Sequence, residues 1–516
     1  MFRAPGSRWR LVGALSLATA VGALLLGSAS AGASTDKGTL SGEGGTFLGP
    51  VVTKLVDDTS SNLDGLFGSY VATGLEPGIA DFIGSGPNNF NADFAVSERP
   101  LTTTEAATAK TNGRSIAYVP FAATPVAIGT IVADTDYAGS DPIDPRDLCP
   151  HIKLTVADLG AVYGIDTAQP VASWADPRLS CSNGIALGSD SLQLASNDDP
   201  TMANFALMSL LNSDPTAKGY FAAGVLSAFN NKTAYTSSIT PNERLPYTEN
   251  VVTGGDGPFL DKLLTVIPTT NVPGWHVGSP PVLGTTFPVS SVWTGAPLGA
   301  AWDIPTAEIQ NAQGAFVFPS TTSAAAAEAD ATLAASSDPT KNNLVTFNAN
   351  VSDAAAYNSY LMEESYLVVP TTGLPANKDY ALADLIRFVL GPKGQQDITN
   401  FGAAPATAAM VTAGLQVAGE LDTEAATSAP GSTGSTTTTT SATSTTTTTA
   451  VPGAGAASPS DSGTGNTGSG GTGAASGSSL AFTGAPGLVP MIGIGALLLV
   501  AGAVVRRRLR RRSVRV

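Results

Sequence analysis

Cysteine and histidine are almost missing from this chain, with two of each in 516 residues. Cys149 and Cys181 stand alone, and His151 and His276 are far apart, so a zinc site has little to draw on. The sequence also has no Gly-x-Ser-x-Gly elbow and no Walker-type loop. Those gaps remove the commonest signatures of hydrolases and nucleotide enzymes. Carboxylates are plentiful, but nothing fixes two of them at the separation glycosidase chemistry needs. No enzymatic activity, metal or cofactor is expected.

Positive charge is scarce wherever it would serve binding. Ten of the 26 basic residues sit at the two ends, leaving sixteen against 41 acidic residues between 35 and 484, a net charge of −25. A segment this acidic repels polyanions, which excludes nucleic acid as a partner. The basic ends read as targeting devices. Arg3, Arg8 and Arg10 precede an apolar segment from Leu11 to Leu26, and Ala29-Ser30-Ala31 and Ala31-Gly32-Ala33 both fit an A-x-A cleavage site. Residues 1–33 therefore read as a secretory signal peptide. With the first cysteine at 149, no lipobox exists beside that cleavage site.

At the other end, Leu480-Ala481-Phe482-Thr483-Gly484 precedes a 21-residue uncharged stretch, Ala485 to Val505, and then Arg506, Arg507, Arg508, Arg510, Arg511 and Arg512. The stretch 485–505 is long enough to cross a bilayer as a transmembrane helix. The arginines hold the tail 506–516 in the cytoplasm. The pentapeptide resembles the LAxTG variant of the signal that sortase enzymes cut between Thr and Gly in high-GC Gram-positive bacteria. That resemblance implies sortase as a partner and an exported, wall-anchored domain. An ordinary single-pass tail anchor with an extracellular N-terminal domain is the other reading.

Residues 428–479 contain Ser, Thr, Gly, Ala and Pro and little else, including the runs Thr436–Thr440 and Thr445–Thr449. Without apolar periodicity such a segment cannot bury enough surface to fold. As a coil its 52 residues would span roughly 40 Å r.m.s., so it reads as a disordered stalk. What remains, 38–425, is long for one core and suits two lobes. Strand-like runs at Ser115–Val119, Val126–Val132, Ala315–Val317 and Tyr366–Val369 alternate with helix-like stretches at Val51–Val56, Thr201–Leu211, Ser323–Ser336 and Tyr380–Leu390. That alternation predicts an α/β fold. Cys149 and Cys181, an even pair in an exported chain, are expected to form a disulfide; two free thiols are the alternative.

The loop Gly42-Glu43-Gly44-Gly45-Thr46-Phe47-Leu48-Gly49-Pro50 leads into an apolar-periodic helix at Val51, Val52, Leu55 and Val56. Glycine before a helix N-terminus offers backbone N–H groups to an anion, and Pro50 suits a first turn. Further segments follow in order: Gly78–Ile83, Ala92–Leu101, Leu154–Leu159, Trp174–Arg178, Ile309–Ser320 and Leu385–Leu390. Together they resemble the PstS-like phosphate-binding proteins, the solute receptors of phosphate ABC transporters. The resemblance implies a two-lobed type II periplasmic-binding-protein fold crossed twice by the chain. Lobe one would hold about 38–122 and 300–425, and lobe two about 123–299, with a ligand captured in the cleft. An ABC permease would be a possible partner.

The family's phosphate pocket transfers poorly. Thr46 and Phe47 occupy the first loop. Gly74-Leu75-Glu76 falls where the family has Gly-Ser-Gly, although Gly84-Ser85-Gly86 is a rival register. The Ser-Asp pair becomes Ser97-Glu98. The family's Arg-x-Asp-Gly-Ser-Gly-Thr loop becomes Ala195-Ser196-Asn197-Asp198-Asp199-Pro200-Thr201, which loses the arginine and, at Pro200, a backbone donor. Arg99 is a substitute arginine or a surface residue. The candidate ligand residues by resemblance are thus Thr46, Phe47, Glu76, Glu98, Asn197, Asp198, Asp199 and Thr201. The acids among them suit a cation, an amine or a sugar better than phosphate; solvated loops and helix caps are the plainer reading. Three functions follow: a surface-anchored solute-binding protein with a diverged pocket, a working phosphate receptor, and a wall-displayed adhesion or scaffold protein.

Overall fold

The structure is a computed structural model that describes residues 38–63, 66–86, 91–131, 149, 151–164, 171–187, 192–197, 202–222, 224–226, 250–252, 260, 285–294 and 304–428. The signal segment, the stalk beyond 428, LAFTG, the span 485–505 and the basic tail lie outside the described residues, as do Asp198, Asp199, Thr201 and His276. Among the described residues no helix is long and apolar enough to cross a membrane.

The chain opens with β1 (Thr39–Gly44), α1 (Gly49–Asn62), β2 (Phe67–Val71), α2 (Leu75–Ile83) and β3 (Phe94–Ser97). β1 runs parallel to β2 on one side and to β3 on the other. The expected period is visible in α1, which buries Val51, Val52, Leu55, Val56 and Thr59 on one face. After α3 (Thr103–Thr111) comes β4 (Ile116–Ile131). Sequence reading breaks this stretch into two strands because Pro120 and Pro125 interrupt it. The structure carries one strand straight through: Ser365 and Tyr366 of the partner strand pair with Ala122 and Pro120, so the extra residue Phe121 forms a bulge beside Pro120.

β4 links the two halves of a nine-stranded sheet. Its first part, Ile116 to Pro125, pairs antiparallel with β14 (Met362–Pro370), and its second part, Val126 to Ile131, pairs antiparallel with β9 (Thr285–Ser290). Beyond β9 lie β7 (Gln193–Asn197) and β8 (Asn250–Val252), both parallel additions. The order is β2-β1-β3-β14-β4-β9-β7-β8, with β15 (Ala404–Pro405) on β4. Helices α4 (Val156–Tyr163), α5 (Met202–Ser213) and α6 (Pro215–Lys218) belong to the middle of the chain. Helix α7 (Thr321–Ala329) ends well short of the expected Ser336, because β12 (Thr332–Leu333) pairs instead as a hairpin with β13 (Val345–Thr346). The last helices are α8 (Ala376–Leu390), α9 (Pro392–Asn400) and α10 (Ala408–Ser428). α8 buries Leu382, Leu385, Ile386 and Val389, and packs beside α10, which buries Val417 and Leu421.

A smaller four-stranded sheet joins β5 (Ile152–Leu154), β6 (Ser180–Cys181), β10 (Glu308–Gln310) and β11 (Phe316–Val317) in the order β11-β10-β5-β6. Here Cys149 and Cys181 form the expected disulfide, with Cα atoms 5.5 Å apart. Ile152 pairs with Cys181, and the Ser182 N–H donates to the His151 carbonyl at 2.7 Å. Asn311 then ties this sheet to the later chain. It accepts from the Gln313 and Ala315 N–H groups and donates to the Ala354 and Ala356 carbonyls. Because the disulfide closes a separation of 32 residues, the Cys149→Ser/Cys181→Ser chain should lose roughly 3 kcal/mol in the chain-entropy account. Urea unfolding under non-reducing conditions reads that loss, and dithiothreitol should lower only the parent.

Candidate functional site

Parallel pairing brings the carboxyl ends of β1, β2 and β3 to one edge, where α1 and α2 begin. Neither helix has a side-chain N-cap: Leu48 precedes α1 and Gly74 precedes α2. The two loops are stitched together, since Gly74 N–H donates to the Gly44 carbonyl at 3.0 Å and Gly45 N–H donates to the Val96 carbonyl at 3.0 Å. Glycine is required at two points. Gly44 has φ +148, and a Cβ there would lie 2.2 Å from the Val96 carbonyl oxygen. A Cβ on Gly78 would lie 2.4 Å from the Gly44 Cα, so α2 rests directly on β1. Gly78→Ala should therefore cost about 1–3 kcal/mol by overpacking. The control Gly419→Ala has nothing within 4 Å and should gain a few tenths to about 1 kcal/mol from helix propensity. Chemical denaturation of both chains tests the contrast.

Glu98 closes this edge from the end of β3. It is 1% exposed, and a Cβ on Gly45 would sit 2.5 Å from its carboxylate. Tyr70 donates its hydroxyl to the Gly45 carbonyl at 2.7 Å. Burial, followed by the charges of Glu98 and Glu43, pushes the Tyr70 phenol far up. Glu43 is itself raised by burial and then by Asp81. From the far half of the sheet, the turn after β9 (Ser291–Trp293) reaches across, and the Trp293 indole N–H donates to the Thr46 carbonyl at 3.1 Å.

Arg99 is not a surface residue. It is 1% exposed, and Nη1 and Nη2 donate to Glu105 at 2.8 Å each, with Nη1 also on the Pro100 carbonyl at 3.0 Å. Burial alone would lift the Glu105 carboxyl, but the Arg99 guanidinium and Thr102 outweigh it and hold Glu105 below its ordinary range. The rival second loop, Gly84-Ser85-Gly86, forms the C-terminal end of α2: Gly84 is its left-handed cap, and the Ser85 and Gly86 N–H groups donate to the Ala80 carbonyl.

Next to Glu98 opens a cavity of about 590 Å³. Its wall comes from the end of β3, from α5, from the stretch 344–347 and from 359–366. Phe205, Phe347, Tyr360 and Tyr366 are among its lining residues, as are Glu98 and Glu363. Among the described residues no lysine, arginine or histidine lines it. A second cavity of about 500 Å³ adjoins it, sharing Ser213, Ser359 and Tyr360.

Of the residues singled out in the sequence, Glu98 lines the larger cavity. Thr46, Phe47 and Glu76 belong to the neighbouring strand-end edge, where Phe47 is core at 3% exposure and Glu76 stands in the first turn of α2. Asn197 ends β7. Phe205, Asn212, Phe347, Tyr360 and Glu363 were not anticipated: they carry no motif, and only the helical period at 201–211 pointed toward one of their elements.

The sequence profile of a PBP superfamily domain matches residues 29–413. No curated protein matches the chain. Among solved structures, the chain is similar to a high-affinity periplasmic phosphate-binding protein named PfluDING, bound with phosphate. Identity there is 17%, coverage 72% of this chain and 92% of that one, and the TM-score 0.50. It is also similar to a phosphate-binding protein from Stenotrophomonas maltophilia at 14% identity, with 73% and 93% of the two chains covered and a TM-score of 0.50. At these identities the likeness is one of fold.

Proposed function

The chain belongs to the PBP superfamily, and from that membership we propose that it is a solute-binding protein displayed at the cell surface, with a pocket no longer built for phosphate. The two halves of the large sheet act as the two lobes, about 38–122 with most of 300–425 and about 123–299 with β10 and β11, which share the smaller sheet with β5 and β6, and β4 is the first crossing between them. A ligand enters where the lobes face each other and the lobes close by a hinge. The observation that carries this reading is the cavity beside Glu98, whose described lining residues include Glu98 and Glu363 and no lysine, arginine or histidine. The nearby Arg99 is committed to Glu105. Phosphate needs a dense set of donors, with a charge-assisted arginine contact among the strongest.

Phosphate titrated into the full-length chain by calorimetry should give no binding in the micromolar range. A micromolar Kd would restore the second reading, a working phosphate receptor, which the names of the similar solved structures favour. Anchoring belongs to the same proposal. LAFTG, an apolar stretch and an arginine block stand in the order a sortase substrate requires, and a stalk of 52 residues would hold the domain away from any permease. Loss of the protein from the wall fraction in cells without sortase is the expected result. Unchanged distribution would leave a single-pass membrane anchor.

A further inference from the structure

Buried carboxylates nearly always keep a hydrogen-bond partner, and an exception asks for an explanation. Asp379 is such an exception. It is 0% exposed in the first turn of α8, and neither of its oxygens meets a donor in the protein. The packing of two helices says where it faces. On α8, Leu390 stands against Gly414 of α10, where a Cβ on the glycine would lie 2.4 Å from its Cδ1. Arg387, earlier on α8, donates to Asp422, further along α10, so the two helices run antiparallel. Asp379 precedes Leu390 by eleven residues, and Ala425 follows Gly414 by eleven, about three helical turns in each case. Asp379 therefore faces the last turns of α10, where Leu421 and Ala425 are buried and Glu424 is half-buried.

That end of α10 has nothing to neutralise a negative charge. The helix holds Glu420, Asp422 and Glu424 and no lysine, arginine or histidine, and a helix C-terminus itself disfavours acids. The basic groups on the elements packed against α8 are engaged elsewhere. Lys378 binds both oxygens of Asp93, and Arg387 binds Asp384 and Asp422. Lys393 of α9 binds Asp58 and Asp397, and Lys54 of α1 binds Asp58. Glu43 of β1 engages Thr73 and Asp81, Tyr118 of β4 accepts from the Leu101 N–H, and Glu420 accepts from Gln416. Glu424 is the charge that acts on Asp379. Burial, and then Glu424, lifts the Asp379 carboxyl from an ordinary 3.8 to about 7.

Ser428 ends α10, and the sequence after it is the stretch read above as a stalk. We infer that Asp379 and Glu424 form a proton-set latch at this junction: while Asp379 holds its proton the last turns of α10 lie on α8, and once it ionises residues 421–428 come away and lengthen the tether. The sign follows from linkage. In the released arrangement the carboxyl returns to about 3.8 and gives up a proton that the docked one keeps. Docking is therefore strongest below that value and weakens as pH rises to about 7. Above about 7 the carboxyl is ionised in both arrangements, and the balance stops moving.

Hydrogen–deuterium exchange on the full-length chain reads the latch segment by segment. After correction for intrinsic exchange, protection at 421–428 should fall about tenfold per pH unit, or about a hundredfold from pH 5 to 7, and level off above about 7.5. Amides at 382–390 of α8 should lose far less over the same range. Asp379→Asn and Asp379→Ala cannot ionise, so their protection at 421–428 should stay level and exceed the parent's at pH 8. Melting curves show whether each variant has folded, and either one alone carries the test. A level profile in the parent overturns the latch. Equal loss across α8 and α10 overturns it too, because the whole domain is then opening. A pH-dependent profile retained in a folded variant removes Asp379 from the release, and the assignment falls.

Discussion

Glu105→Ala should lower the unfolding free energy by about 3–5 kcal/mol, the usual cost of breaking one side of a buried ion pair. Arg99 is 1% exposed, and its guanidinium meets both carboxylate oxygens of Glu105 at 2.8 Å. Removing the carboxylate leaves a buried positive charge hydrogen-bonded to the Pro100 carbonyl, with Glu76 acting on it as a remaining countercharge. A second loss accompanies it. Glu105 also accepts from the Thr102 N–H and completes the capping box of α3, a device worth about 1 kcal/mol. The paired variant Arg99→Met/Glu105→Leu separates the two terms. It removes both charges and keeps apolar volume, so it should recover most of the deficit and retain only the cap loss. Thermal and urea unfolding of the three chains measure this directly. The same variants bear on function, because an arginine needed by the ligand could not be replaced by methionine without loss of binding. If Arg99→Met/Glu105→Leu binds its ligand as the parent does, Arg99 is structural.

That pair also marks where sequence reading stopped. Arg99 follows Ser97-Glu98 at the end of a strand, and residue type alone leaves it on the surface or in a pocket. Its actual partner lies six residues on in the first turn of α3, and a capping glutamate is indistinguishable in sequence from an ion-pairing one. Local periodicity served well where burial is one-sided. The face Val51, Val52, Leu55, Val56 of α1 was legible, and the pairing of Cys149 with Cys181 followed from their being the only two cysteines. It served poorly at β4, where prolines signal breaks and the strand instead runs on through an extra residue at Phe121. It also failed at α7, where the alanine-rich run continues to look helical past Ala329 although Thr332 and Leu333 pair with Val345 and Thr346. The larger cavity was the least legible feature. Its wall joins Glu98 to residues 205–213, 344–347 and 359–366, and only long-range strand pairing of β3 with β14 brings Tyr366 beside Ser97. No spacing rule reaches across 269 positions, and the Trp293 contact with Thr46, at a separation of 247 residues, is hidden for the same reason.

Glu328→Gln should change how stability depends on pH more than any other single neutral replacement in the described residues. Glu328 is 2% exposed on α7, with one carboxylate oxygen lacking a hydrogen-bond partner. Burial pushes its carboxyl up to about 8 from an ordinary 4.5, and an N–H from Thr407 offsets only part of that. The sign follows from linkage. The folded state holds a proton that the unfolded chain gives up near 4.5, so the stabilisation is fully present below that value and is lost as pH rises through about 8. At about 1.4 kcal/mol per pH unit across that window, the parent should lose up to several kcal/mol between pH 5 and 9. Asp379, buried and raised to about 7 by burial and then by Glu424, slopes the same way. Glu328→Gln keeps the shape and the acceptor for Thr407 but cannot ionise, so its melting temperature should fall less steeply over that range. The two chains should be nearest in stability near pH 5, with the variant ahead at pH 9. General repulsion in so acidic a protein steepens both curves equally and cancels in their difference. Parallel profiles for parent and variant would mean that Glu328 stays ionised in the fold, and a partner for its charge would have to be sought around α7.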